Sequence, residues 1–159
     1  MLISTLLAAA LQTATPVAPA SDDIAWGASL GAVQSAVTGR PPRSSRDDVN
    51  DFHVLWTARD HIDDVEVEAL FYFDNAQSLE MVAFEAPYRQ CRDVIASIVE
   101  RFGRPVTMSD QAILRLIIWH DEGRQRRLRL LVSQAGICTL YYERLATYQA
   151  GDLAERTRP

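Results

Sequence analysis

The sequence has no lysine; all sixteen of its basic residues are arginine. The bias reads as codon usage in a GC-rich genome more than as chemistry, and it makes every cationic contact a guanidinium one. There is no phosphate-binding glycine loop and no dinucleotide fingerprint. Cysteine is scarce, at two residues, and histidine at three. The first twenty residues carry no charged side chain, and their apolar run from Leu2 to Leu11 is too short to span a bilayer comfortably. What is present excludes disorder: 159 residues, 48% hydrophobic and 23% charged, describe a globular chain that buries about two thirds of its unfolded surface without a metal.

The uncharged start ends in Ala18-Pro19-Ala20, a small-x-small pattern that reads as a signal peptide over residues 1–20, cut before Ser21. No cysteine stands at that site, so lipoprotein processing is not expected and no stable membrane anchor remains after cleavage. The n-region lacks Lys and Arg, which leaves the position of the start codon open, and a retained anchor is the alternative. The expected location is periplasmic or secreted. In an oxidising compartment two thiols in a small domain read as a disulfide, and Cys91 with Cys138 is the only intramolecular option. A loop of nearly fifty residues closed in this way contributes on the order of 3–4 kcal/mol in the chain-entropy model.

The clearest local signal is Tyr88 to Pro105. Cys91, Val94, Ile95, Ile98, Val99 and Phe102 fall on one stripe at helical spacing, and Gly103 and Pro105 stop the helix. A fainter helix is predicted from Leu30 to about Thr38, with Ser29 as N-cap and Gly39 as its stop. Between Arg40 and Asp51 the chain has no period and reads as an exposed loop. Strands are predicted at Phe52 to Ala58, Val65 to Phe73 and Ser78 to Ala86, then at Ala112 to His120, Arg126 to Val132 and Ile137 to Glu143, from alternation rich in aromatic and β-branched side chains. In the fourth of these, Ala112, Leu114, Leu116 and Ile118 are taken as the inward face. The expected fold class is α+β: a first helix-plus-three-stranded antiparallel meander at 21–86, a second at 87–145, helices on one face of the sheet, and a polar C-terminal tail at 146–159. A single curved sheet wrapping a helix, as in cystatin-like folds, is the second fold considered.

Gly39-Arg40-Pro41 and Gly103-Arg104-Pro105 each end a helix, 64 residues apart, and Trp56 and Trp119 each lie in the first predicted strand after it. Together with the start Trp26-Gly27-Ala28-Ser29-Leu30, this order resembles the small outer-membrane assembly lipoproteins of the BamE (SmpA/OmlA) family. Two such units in one exported chain with a disulfide resemble the β-lactamase inhibitor protein (BLIP). The likeness is topological and covers about Ile24 to Arg144. It implies a non-enzymatic module that binds other proteins through an open sheet face. The chain departs from it in having no lipobox cysteine and one cysteine pair where BLIP has two.

Charge is divided unevenly. Residues 21–86 carry four Arg against thirteen acids, and residues 87–159 carry twelve Arg against eight. In the second unit the outward face is expected to hold Arg115, Arg127 and Arg129 with Trp119 and Tyr141, side chains enriched at protein interfaces. The plainer alternative is a solvated face with Arg stems lying over apolar neighbours. Arg59-Asp60-His61-Ile62-Asp63-Asp64 offers oxygen ligands without the ordered spacing or glycine of a calcium loop, so it reads as a polar turn. His120-Asp121-Glu122 reads likewise as a turn, because a zinc helix would place its histidines four apart. Cys91 on a buried stripe excludes a Cys–His nucleophile. The expectation is therefore no catalytic residue, no metal and no cofactor. It is an exported binding or accessory module whose partner is another envelope or secreted protein and not nucleic acid, with oligomeric state undetermined. The alternative is a carrier or sensor of a small apolar ligand held between helix and sheet near Trp56, Phe71, Phe73 and Phe84.

Overall fold

The computed structural model describes residues 19–43, 49 and 51–148. The expected signal sequence up to residue 18, positions 44–48 and 50 of the predicted loop, and the tail from 149 lie outside the described residues. A 3-10 turn at Ala20–Asp23 opens the chain, followed by helix α1 (Leu30–Ala36). Strands β1 (His53–Ile62), β2 (Val65–Phe73) and β3 (Leu79–Glu85) come next. Helix α2 (Cys91–Phe102) then leads to β4 (Thr107–Gln111), β5 (Leu114–Asp121), β6 (Arg126–Ser133) and β7 (Ile137–Arg144).

These strands form one antiparallel sheet in the order β1-β2-β3-β7-β6-β5-β4. The expectation of two tandem helix-plus-three-strand units is corrected by this arrangement. The second half has four strands, and β3 pairs with β7, from Met81 opposite Glu143 to Glu85 opposite Thr139, so that no unit boundary divides the sheet. Local reading missed β4 because Thr107-Met108-Ser109-Asp110-Gln111 has neither β-branched enrichment nor a clean alternation. It is an edge strand held only by pairing to β5, from Thr107 opposite Ile118 to Gln111 opposite Leu114.

Both helices lie on one sheet face and share its core. Val33 and Val37 from the α1 segment, and Cys91, Val94 and Ile98 from α2, pack with Phe71, Phe73, Phe84, Trp119, Leu128, Leu130 and Tyr142. Burying each large apolar side chain of this kind stabilises the fold by roughly 1.5–3 kcal/mol before chain entropy is counted. On the opposite face a smaller cluster of Val54, Leu70, Tyr72, Met81 and Ala83 packs against Phe52 and Val49.

Several local signals act as the sequence suggests. Ser29 Oγ accepts the Ala32 amide and caps α1, and Gly103 ends α2 at φ 73°. Gly39, expected as a helix stop, works differently. Helix α1 ends at Ala36, and a Cβ at Gly39 would sit 2.2 Å from the Thr57 carbonyl oxygen, so glycine is needed there for the close approach of the Arg40 backbone to β1. Strand β1 runs to Ile62 and turns at Asp63, φ 49°, so the expected polar turn at 59–64 shrinks to a tight hairpin between Ile62 and Val65. A bulge between Val54 and Trp56 breaks the simple alternation read there.

Cys91 and Cys138 are joined, with Cα atoms 5.7 Å apart, and tie the first turn of α2 to β7. Both halves of that contact are buried. A Cys91→Ala, Cys138→Ala variant should unfold about 2–4 kcal/mol more easily in urea with an unchanged far-ultraviolet spectrum. An unchanged midpoint would mean that packing of Val94 and Ile98 alone positions α2.

Candidate functional site

The alternation of the sheet decides which of the expected interface residues share a surface. On β6 and β7, Leu128, Leu130, Cys138, Leu140 and Tyr142 face the helices, which turns Arg127, Arg129, Leu131, Tyr141 and Glu143 to the other side. On β5, Trp119 pairs with Leu128 and Ile117 with Leu130, so Ile117 and Trp119 point to the helices. Trp119 is 1% exposed and its indole N–H donates to the Gly103 carbonyl at 3.0 Å. The expected outward placement of Trp119 is thus corrected, and with it the expected inward placement of Leu114, Leu116 and Ile118. The run Leu116-Ile117-Ile118-Trp119 is apolar at every position, so its alternation carries no phase; the pairing to β6 supplies it. Arg115 follows Trp119 to the helix side, where it is exposed and bonded to Asp110 at 2.5 and 3.3 Å.

The remaining three residues do come together. Arg129 stands opposite Tyr141 on β7 and Ile118 on β5, and its guanidinium lies 4.2 Å over the Tyr141 ring. Its Nε and Nη2 donate to Glu143 Oε1 at 2.9 and 2.5 Å. Arg127, one row further along and buried, pairs with Glu143 Oε2 at 3.1 Å and stacks 3.6 Å from the Tyr148 ring. In the other direction the row Leu116, Leu131 and Thr139 is apolar but for one hydroxyl. Leu116, Ile118 and Leu131 are partly exposed and belong to neither apolar cluster. The outer face of β5–β7 therefore grades from a paired Arg–Glu end to an aliphatic strip, with a stacked Arg–Tyr pair between them.

A second cluster lies on the helix side, beside the Arg127 end of β6, and sequence reading missed it. The Asp22 carboxylate, 2% exposed, accepts from Arg101 at 3.2 Å, from Arg124 at 2.6 Å and from Arg126. Arg124 also donates to the Asp22 carbonyl at 3.0 Å, and Trp26 Nε1 donates to the Arg124 carbonyl at 3.1 Å. Arg126 is 4% exposed on its side chain, is bonded to Asp121 at 2.8 Å, and lies 4.4 Å over the Tyr142 ring. Burial alone would lower the Arg126 pKa; the Asp22 hydrogen bond and the surrounding charges outweigh it, so the guanidinium stays protonated. Burial pushes the Tyr142 phenol up to about 12, against the opposing pull of Arg126 and Arg101. Asp22 is separated from the three arginines by 79 to 104 positions, and only the opposite charge of the two halves hinted at their meeting.

In the acidic half, an open cleft of about 1110 Å³ is lined by Gly39, Arg40, Thr57, Glu66, Glu68 and Glu85 among others. Arg40 lies 3.8 Å from Glu68 and Arg59 4.0 Å from Glu66, so these side chains form loose surface pairs. Among the described residues no group of three or more His, Cys, Asp or Glu side chains is placed to hold a metal, and no helix is long and apolar enough to cross a membrane. Both cysteines are in the disulfide, so neither supplies a thiol.

No family model and no curated protein matches the chain. Among solved structures it is similar to YjgB, a DUF4309 family protein from Bacillus subtilis, at 13% identity over 74% of this chain and 78% of that one, with a TM-score of 0.45. A likeness at this level fixes neither fold nor activity, and it does not bear on the resemblance to BamE-like or inhibitor proteins.

Two measurements test the buried cluster. Asp22→Ala leaves Arg126 buried beside one remaining carboxylate and should cost about 3–5 kcal/mol of stability; a loss below about 1 kcal/mol would mean that the guanidiniums reach water without it. The Tyr142 pKa is raised in the folded state, so its contribution is fully present below the unfolded value near 10 and is lost as pH rises towards about 12. Over that interval the unfolding free energy should fall by roughly 1.4 kcal/mol per pH unit, and a Tyr142→Phe variant should lack this component.

Proposed function

We propose that the chain is a non-catalytic, exported module, periplasmic or secreted, that binds another envelope or secreted protein through the outer face of β5–β7. One observation carries this reading: Arg129 stacked on Tyr141 beside partly exposed Leu116, Ile118 and Leu131, on the sheet face away from both helices. Arginine and tyrosine stacked among aliphatic side chains make a surface that is desolvated at little conformational cost, because Glu143 already holds the guanidinium in place. Export is supported by the formed disulfide and by the uncharged apolar start of the chain.

The geometry favours binding of a protein over the carriage of an apolar ligand. The space between helices and sheet, where such a ligand would sit, is filled by Phe71, Phe73, Phe84, Ile98 and Trp119, each at most 1% exposed. Catalysis is not part of the proposal: both cysteines are in the disulfide, and no three metal-ligating side chains are grouped among the described residues.

A photo-crosslinking residue at Leu131 should capture a partner that the same residue at Glu100, on α2, does not. An Arg129→Ala, Tyr141→Ala variant should reduce that capture at least tenfold while its thermal midpoint falls by no more than a few degrees. Equal capture from both positions, or capture indifferent to the double substitution, would place the binding surface elsewhere.

A further inference from the structure

We infer that Asp60 is the receptor for a new amino terminus at Ser21, created by cleavage of the Ala20–Ser21 bond. The inference deepens the proposed function and rests on its export reading. Ser21 is held from two sides at once. Its backbone nitrogen and its hydroxyl both donate to Asp60 Oδ2, at 3.2 and 3.0 Å, while the next side chain, Asp22, is gripped by Arg101, Arg124 and Arg126. Ser21 and Asp60 are 5% and 6% exposed. The Ser21 nitrogen is held against a buried carboxylate by contacts on β1, α2, β6 and the Glu122–Arg124 turn that cleavage leaves in place, while the bond from the Asp22 amide to the Pro19 carbonyl, 2.9 Å, departs with the leader.

In the uncleaved chain this nitrogen is an amide with one proton and no charge. Hydrolysis of the Ala20–Ser21 amide by a leader peptidase takes up one water; the hydroxyl goes to the Ala20 carbonyl carbon, and the nitrogen leaves as an α-amine that is protonated to an ammonium. At the same site the Asp60 carboxylate then faces a full positive charge with three donors, and a charge-assisted bond of this kind is roughly twice as strong as its neutral counterpart. A buried ion pair commonly loses as much in desolvation as it gains. Here the departure of Pro19, itself buried, and of Ala20 opens one side of the ammonium to water, which reduces that loss. The Ala20–Ser21 bond also lies inside the 3-10 turn that spans Ala20–Asp23, with Ser21 buried, so a protease that needs extended backbone must act before this end of the chain docks.

The test has two independent arms. Mass spectrometry of the exported protein should give Ser21 as the first residue; a retained leader, or another start, overturns the cleavage site and with it the export reading at this bond. The second arm uses the chain from Ser21 onwards, released from a fusion so that it begins at Ser21 however the cell processes it. With a free α-amine it should melt higher than the same chain acetylated at Ser21, by on the order of 3 °C, and the gap should vanish in Asp60→Asn. A gap of zero, or one that survives Asp60→Asn, overturns the receptor role whatever the first arm shows. Should Asp60→Asn fail to fold, the α-amine of the otherwise unchanged chain is titrated by its acylation rate: a pKa above the usual value of about 7.7–8.0 is expected, and one at or below that range overturns the pairing.

Discussion

The pairing of β3 with β7 is the contact on which the other long-range features depend. It joins two strands separated by more than fifty residues, and it does so in the register Val82 opposite Tyr142 and Phe84 opposite Leu140, which puts the large side chains of both halves on one face. Phe84 meets Tyr142 edge-on at 4.9 Å across this seam. Once the register is set, α1 and α2 have a common apolar surface to cover, and Cys138 is carried to the side from which α2 presents Cys91. A slip of one residue would turn Tyr142 and Leu140 outward and separate the two sulfurs.

Electrostatics reinforces the same seam. Part of the charge of the acidic first half and the basic second half is used between them. Asp22 meets Arg101, Arg124 and Arg126, and Glu80 accepts from Arg144 at 3.0 Å. On the outer face of the sheet, Arg129 is already paired with Glu143 and stacked on Tyr141. That surface is poorer in free charge than the arginine count suggests, and forms a stacked, amphipathic patch.

The sequence made the phase of β2, β6 and β7 legible because polar residues mark the other face, Glu66 and Glu68 on β2, Arg127 and Arg129 on β6 and Thr139 on β7: Val65, Val67, Ala69, Phe71 and Phe73, Leu128 and Leu130, and Cys138, Leu140 and Tyr142 all reach the core as their spacing predicts. It made α2 legible through its apolar stripe, although Val99 on that stripe is exposed and Ser97 off it is buried. The phase of β5 was not legible, because four consecutive apolar residues satisfy either face. Strand β4 was not legible either, since an edge strand of small polar residues owes its conformation to its neighbour. Of the expected surface residues, Arg127, Arg129 and Tyr141 gather on the outer face, while Arg115 and Trp119 lie on the helix side. The Asp22 and Asp60 contacts escaped sequence reading for a simpler reason: polar side chains do not announce partners a hundred residues away.

By itself, then, the sequence determined the two helices, six of the seven strands and the cysteine pair, because each is specified by local periodicity, by end signals or by there being only two thiols. The tertiary structure decided how many sheets those strands make, which face of β5 is buried, and which arginines share the outer face. These are choices between arrangements that satisfy the local pattern equally well. They are resolved only when side chains distant in sequence compete for the same buried volume, as Trp119 does with Leu116 and Ile118, or for the same carboxylate, as the three arginines do at Asp22.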